Sequence, residues 1–310
     1  MENFEPNPKS ELLQFPVKSV LFITFITVFA GIILGGGIVL LAFNWYGVPQ
    51  AEFFNMISAG EGNLADRNFL RFSTFLNHAL TFLVPSLFIA WMLYKKDWAK
   101  FLQLNKTPHI AVLGMTLMFI ISAMGLVQFS IWLNQLIPLP AWATNLEAET
   151  EGMIKAFLTM ETAGELAFSF FVMAIIPAIG EELLFRGIIQ QMLGRIFKNE
   201  HVTVWVAAFI FSFFHFQFAG FLPRMLLGGL LGYLLIWTKN LWVPIFGHLV
   251  FNGMQVIAIY YKDFLEEKAG LEDLENQSLD AIEMPSIGLI VFSAILVPVI
   301  GRAIQRFYKI

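Results

Sequence analysis

The 310-residue sequence contains no cysteine. That excludes disulfide frameworks, thiolate-bound metals and cysteine nucleophiles. Charge is scarce too: charged residues make up 14% of the chain, against about 25% in an average soluble protein. The net charge of -4 offers no basic stripe, so nucleic acid is not an expected partner. No repeat of fixed period, low-complexity tract or second soluble domain can be read, and His-Glu-x-x-His does not occur.

Apolar residues fill the space, at 57% of the chain. They gather into long uncharged runs, and a run of about 18 or more reads as a membrane span. Eight spans are expected, at 20–43, 72–94, 110–133, 166–190, 202–218, 221–237, 241–261 and 285–304. The fold class is therefore an all-α polytopic membrane protein, with the bilayer as an obligatory partner. The first run is too long for a signal-peptide core of about 7–15 residues, and no small-residue cleavage site follows it. It is read as a retained span, in which Gly35, Gly36 and Gly37 permit close helix packing. Residues 3–15, polar and containing prolines, are read as a flexible or interfacial entry.

Lys and Arg concentrate on the cytoplasmic side of short loops. With both termini cytoplasmic, Lys18, Lys95, Lys96, Lys100, Lys106, Arg195, Lys198, Lys239, Arg302 and Arg306 fall inside, and few cations, among them Arg67, Arg71 and Arg224, fall outside. The expected location is the plasma (inner) membrane of a bacterium. Two long outer connections remain, 138–165 and 262–284, the second rich in acidic residues and read as solvated. Three regions follow: 1–160 with three spans and a long outer loop, a core at 161–261, and 262–310 with the acidic loop and last span.

A charge at bilayer depth costs about 2.5–3.5 kcal/mol on insertion scales, so each needs a partner or a task. Three sets stand out. In the first, Glu181-Glu182-Leu183-Leu184-Phe185-Arg186, the i,i+4 spacing lets Glu182 pair with Arg186. Glu181 is rotated by about 100° and looks elsewhere, into a cavity. The second set places His215 four residues after Phe211, and the third places His248 and Asn252 one turn apart. Taken singly, these two read as packing or interhelical bonding groups.

Together, a carboxylate, two imidazoles and an amide on three spans are the parts needed to split an amide with water. Glutamate can take the proton, histidine can orient the water, and His or Asn donors can hold an oxyanion. Ser212 lacks an acid partner, which makes a serine mechanism a weak rival. Glu181, His215 and His248 also form a His2Glu set of the kind that holds catalytic zinc. Asn252 is a poor zinc ligand and suits an anion, so no cofactor is expected, with zinc the alternative.

The order Glu-Glu-x-x-x-Arg, Phe-x-x-x-His, His-x-x-x-Asn resembles the three motifs of the CAAX protease and bacteriocin-processing (CPBP) family, which includes the Ras-converting CAAX prenyl proteases. The resemblance covers about a third of the chain, roughly 166–260. It implies a CAAX-protease-like bundle of about eight helices with a site open to the cytosol, and a glutamate-type endopeptidase, a class also described as metalloproteases. It implies Glu181 as general base, His215 as its helper, His248 and Asn252 as the oxyanion site, and Glu182 with Arg186 in support. The expected substrate is a membrane-associated peptide or protein, cut near its C-terminus and carrying a lipid in some cases.

Two other classes compete. A non-catalytic scaffold or immunity-type protein would bind a peptide in the same cavity and tolerate Glu181→Gln. A transporter would show repeat-related halves, whereas here the ionisable cluster lies in one half only. Asn77, His78 and Gln128 are read as packing between helices, His109 and His201 as solvated, Gly228, Gly229 and Gly232 as a close helix contact, and Arg224 as snorkelling outward or touching substrate.

Overall fold

In the computed structural model, residues 15–262 and 283–308 are described, and every structural statement below concerns them. Most of the segments 3–15 and 262–284 lie outside that range.

The described residues are almost wholly helical. Helix α1 (Val17–Tyr46) follows Pro16 and stops at Gly47, whose φ of 87° turns the backbone left-handed while its N–H bonds to Phe43. This is the glycine-terminated stop expected where a helix must end sharply. A short helix, α2 (Gln50–Ser58), precedes α3 (Leu64–Phe101), which opens with an Asn63/Asp66 capping box. Then come α4 (Ile110–Gln135), α5 (Ala141–Leu158), α6 (Ala163–Phe197), α7 (Glu200–Phe213), α8 (Phe221–Thr238), α9 (Trp242–Tyr260) and α10 (Ile287–Phe307). Side-chain oxygens of Thr162, Asn199 and Ser286 cap α6, α7 and α10. Each satisfies an otherwise orphaned amide of the first turn.

Seven of these helices are long and apolar enough to cross a membrane, so the protein is an integral, multi-pass membrane protein. The eighth expected crossing, at 202–218, is shorter than anticipated: α7 is a 14-residue helix that ends at Phe213. At 1.5 Å per residue that is about 21 Å, less than the hydrocarbon thickness of about 30 Å. His215 thus sits in the turn after the helix.

Two further boundaries differ. Helix α3 starts at Leu64, taking Arg67 and Arg71 into the helix, and the expected loop at 138–165 is largely α5. A third correction concerns Gln128, which faces outward instead of packing between helices.

Two spans contain π turns placed ahead of a proline. In α3 the turn is Ala79–Leu83, followed by Pro85; in α6 it is Phe171–Ile175, followed by Pro177. Proline has no N–H to give the carbonyl four residues back, so the backbone bonding slips by a residue and carbonyls are freed. A third π turn, Phe185–Gln190, follows Glu181 and Glu182.

Helices α7 and α8 pack as a tight hairpin across glycines. A Cβ at Gly228 would meet Ala208 Cβ at 3.1 Å, and one at Gly229 the Trp205 ring at 2.9 Å. The expected close contact is present. In α1 only part of the glycine run serves this purpose: Gly35 faces Asn77, whereas Gly36 and Gly37 have nothing within 4 Å.

The start of α3 is tied to the start of α6 by buried charge. Glu165 accepts from Arg67 Nε at 2.8 Å and from Arg71 Nη1 at 3.0 Å. Arg71 is fully buried and also donates to Ser169, Asn68 and the Thr159 carbonyl. These two arginines, expected among the outer cations, form a clamp between the first and second halves of the chain.

Candidate active site

The apolar pattern of α6 is broken at its middle by Glu181 and Glu182, both buried. The second carboxylate is held rigidly. Its Oε1 accepts from Arg186 Nη1 at 2.7 Å, the i,i+4 pair expected from spacing, and faces His248 Nδ1 at 2.9 Å. Arg186 also donates to the Gly228 carbonyl at 3.0 Å and lies over the Phe211 ring at 4.5 Å. One turn further on, Gln190 donates to the Gly232 carbonyl at 3.0 Å. The glycines of α8 thus let α6 approach closely enough for its polar side chains to reach backbone.

Glu181 points into a nest of imidazoles. His215 Nε2 stands 3.7 Å from Oε2, His248 Nε2 3.9 Å from the same oxygen, and His78 Nε2 3.8 Å from Oε1. Hydrogen counting sets the ring roles. His215 Nδ1 lies 2.8 Å from the Phe211 carbonyl, which can only accept, so Nδ1 carries the hydrogen. His248 Nδ1 faces a carboxylate oxygen already bound by Arg186, so it too must donate. In their neutral forms, both rings therefore turn an Nε2 lone pair towards Glu181. Atoms 3.7 Å apart are too distant to bond directly and close enough for one water to bridge at about 2.8 Å to each.

Asn252 shares the face of His248, and its Nδ2 donates to the Met173 carbonyl at 3.1 Å. Met173 lies four residues before Pro177, so its carbonyl lacks the usual helical donor. One amide hydrogen of Asn252 therefore repairs α6, and one is left for other work. Ser212 donates to the Phe221 carbonyl at 2.7 Å and closes the α7–α8 hairpin. Arg224 neither snorkels nor stands free: it donates to Gln217 Oε1 at 2.8 Å, to the Gly220 carbonyl at 3.1 Å and to the Gln217 carbonyl, bracing the turn that carries His215.

His78 escaped the sequence reading because it belongs to no motif and lies in the first half of the chain. The available signal was an ionisable side chain within a span, seven residues before a proline. His109 and His201 are exposed, as expected; the first caps α4 and the second bonds Tyr233.

Donor chemistry at the cluster resembles a metal site, with the far nitrogens of His215 and His248 committed to a carbonyl and a carboxylate. The spacing does not fit. Zinc bonds of about 2.0–2.1 Å in a tetrahedron bring ligand atoms within roughly 3.4 Å of each other. The separations here are 3.7–3.9 Å, and among the described residues no group of three or more His, Asp or Glu could hold a metal ion.

A largely apolar cleft of about 240 Å³ lies between α1, α6 and the end of α7, lined by Leu21, Thr24, Phe25, Phe185, Ile210 and Phe214 among others. Phe185 forms an edge contact with Phe211, the residue whose carbonyl orients His215.

Residues 163–254, which carry all three polar sets, match the family model described as type II CAAX prenyl endopeptidase Rce1-like. Residues 163–254 are thus similar to that family. A curated relative, the uncharacterised protein YpbD of Bacillus subtilis strain 168, is 28% identical over 116 residues. The match covers 36% of this chain and 57% of that relative. No solved structure matches the chain. The matched segment runs from the start of α6 through most of α9, so α3 and its His78 lie outside it.

Proposed function

We propose that the protein is an endopeptidase of a bacterial membrane that hydrolyses a peptide bond of a membrane-associated substrate by glutamate-activated water. The observation that carries this reading is the buried Glu181 carboxylate facing the Nε2 atoms of His215 and His248 at 3.7 and 3.9 Å. A water held between Glu181 Oε2 and His215 Nε2 gives one hydrogen to each and turns its lone pairs to a substrate carbonyl. Glu181 takes the first proton as the C–O bond forms. The tetrahedral oxyanion then collapses, the C–N bond breaks, and Glu181 returns that proton to the departing amine.

Oxyanion stabilisation falls to the free hydrogen of Asn252 and to His248, which can donate from Nε2 only when its ring carries both protons. Removal of one such donor typically costs about 3–4 kcal/mol of barrier. Glu182 and Arg186 hold His248 in place. The apolar cleft supplies a surface for the hydrocarbon part of a membrane-borne substrate, a prenyl group included. No metal takes part in this scheme, and both termini face the cytosol.

The decisive experiment compares the membrane peptidomes of cells carrying wild type and Glu181→Ala, then tests purified protein on the peptides that differ. Glu181→Gln and His248→Ala should each abolish cleavage. Unchanged turnover in both overturns the site, and full biological function in Glu181→Gln favours a peptide-binding scaffold. Stoichiometric zinc in protein purified without chelator, lost in Glu181→Ala, overturns the metal-free scheme.

A further inference from the structure

His78 is the unexplained member of the cluster. Its Nε2 is buried without a hydrogen-bond partner and lies 3.8 Å from Glu181 Oε1. Leaving a buried polar atom unsatisfied is costly, so one aimed at a carboxylate calls for an account. The surroundings hold the ring in that aim. Its plane lies against Phe82, with centroids 4.7 Å apart, and Gly180 leaves room where a Cβ would come within 3.3 Å of Nε2. The π turn of α3 begins at the next residue, Ala79.

The two oxygens of Glu181 are thus divided. Oε2 is shared by His215 and His248, whereas Oε1 faces His78. A carboxylate gripped on one oxygen cannot rotate, and the other oxygen stays turned to the reacting water.

We propose that His78 is a positioning residue of the hydrolytic site, holding Glu181 Oε1 from Nε2–H across one bridging water, so that Oε2 faces the nucleophile. The inference rests on the hydrolytic reading above. It makes the first half of the chain part of the active site: α3 supplies a group that the Rce1-like segment lacks.

The test uses full-length protein in nanodiscs and a fluorescence-quenched farnesylated peptide ending in a CAAX sequence. His78→Leu removes the donor, whereas His78→Gln keeps an N–H near the position of Nε2. For His78→Leu, kcat should fall about 100-fold, the penalty of a misplaced catalytic group, with KM unchanged; His78→Gln should stay within about fivefold of wild type. Equal behaviour of the two variants, whether both active or both dead, overturns the proposal. A second readout needs no turnover: with ¹⁵N-histidine, Glu181→Gln should shift the His78 Nε2 resonance. If wild type leaves the peptide uncut, the hydrolytic reading fails for that substrate while this shift still decides the contact. It decides equally if His78→Leu does not fold. An unmoved resonance overturns the proposal.

Discussion

Replacing Glu165 with alanine removes the shared partner of two arginines, and the cost can be worked out from their surroundings. Arg71 has no exposed surface, and Glu165 and Arg67 are also buried. In the variant Arg71 keeps its neutral acceptors, Ser169, Asn68 and the Thr159 carbonyl, but loses the only carboxylate it contacts. Arg67 retains Glu161, whose side chain is 68% exposed and screened by water. Breaking a buried pair from one side costs about 3–5 kcal/mol, because a charge is stranded. At roughly 2 °C per kcal/mol for a chain of this size, the unfolding midpoint should drop by about 6–10 °C.

Tryptophan fluorescence during heating in nanodiscs measures this drop. Pairing Glu165→Leu with Arg71→Met should recover much of the loss, since removing both charges together can be nearly neutral. A shift below about 2 °C for Glu165→Ala would refute the reasoning and show that the clamp is solvated. The consequence reaches the site, because α3 carries His78 and α6 carries Glu181.

Two further perturbations test neighbouring parts. Ser212→Ala should lose about 1 kcal/mol, the worth of its bond to the Phe221 carbonyl, and keep cleavage within a few-fold; a hundredfold drop in folded protein would restore a serine mechanism. Gly228→Leu places a side chain where a Cβ already meets Ala208 and the Phe211 ring at 3.1–3.2 Å. Such overpacking costs about 1–3 kcal/mol. It should also lower cleavage, because Phe211 orients His215 and the Gly228 carbonyl holds Arg186; normal melting and turnover would refute the tight α7–α8 contact.

Much of this protein is legible in one dimension because lipid imposes a simple code. A span must satisfy its own backbone bonds, so apolar length marks helices such as α1, α4 and α10 nearly to their ends. The Glu182–Arg186 pair is legible for a similar reason, since helix geometry alone puts i and i+4 on one face. Glu181, His215 and His248 stand out as costly polar groups in apolar stretches.

Other features depend on what faces what. Arg67 and Arg71 look like ordinary flank cations until α6 brings Glu165 against them. Arg224 looks like a snorkelling side chain until the turn after α7 curls its carbonyls around it. That one hydrogen of Asn252 is spent on the Met173 carbonyl shows only once Pro177 is seen to strip that carbonyl of its donor. His78 looks like packing until α3 and α6 meet at Gly180. Local periodicity and the cost of charge in hydrocarbon are properties of a single strand of sequence, so composition and spacing alone determined the membrane class, the helices and the polar groups. Which carboxylate meets which cation or ring depends on contacts between helices far apart in the chain, and only the tertiary structure decided those.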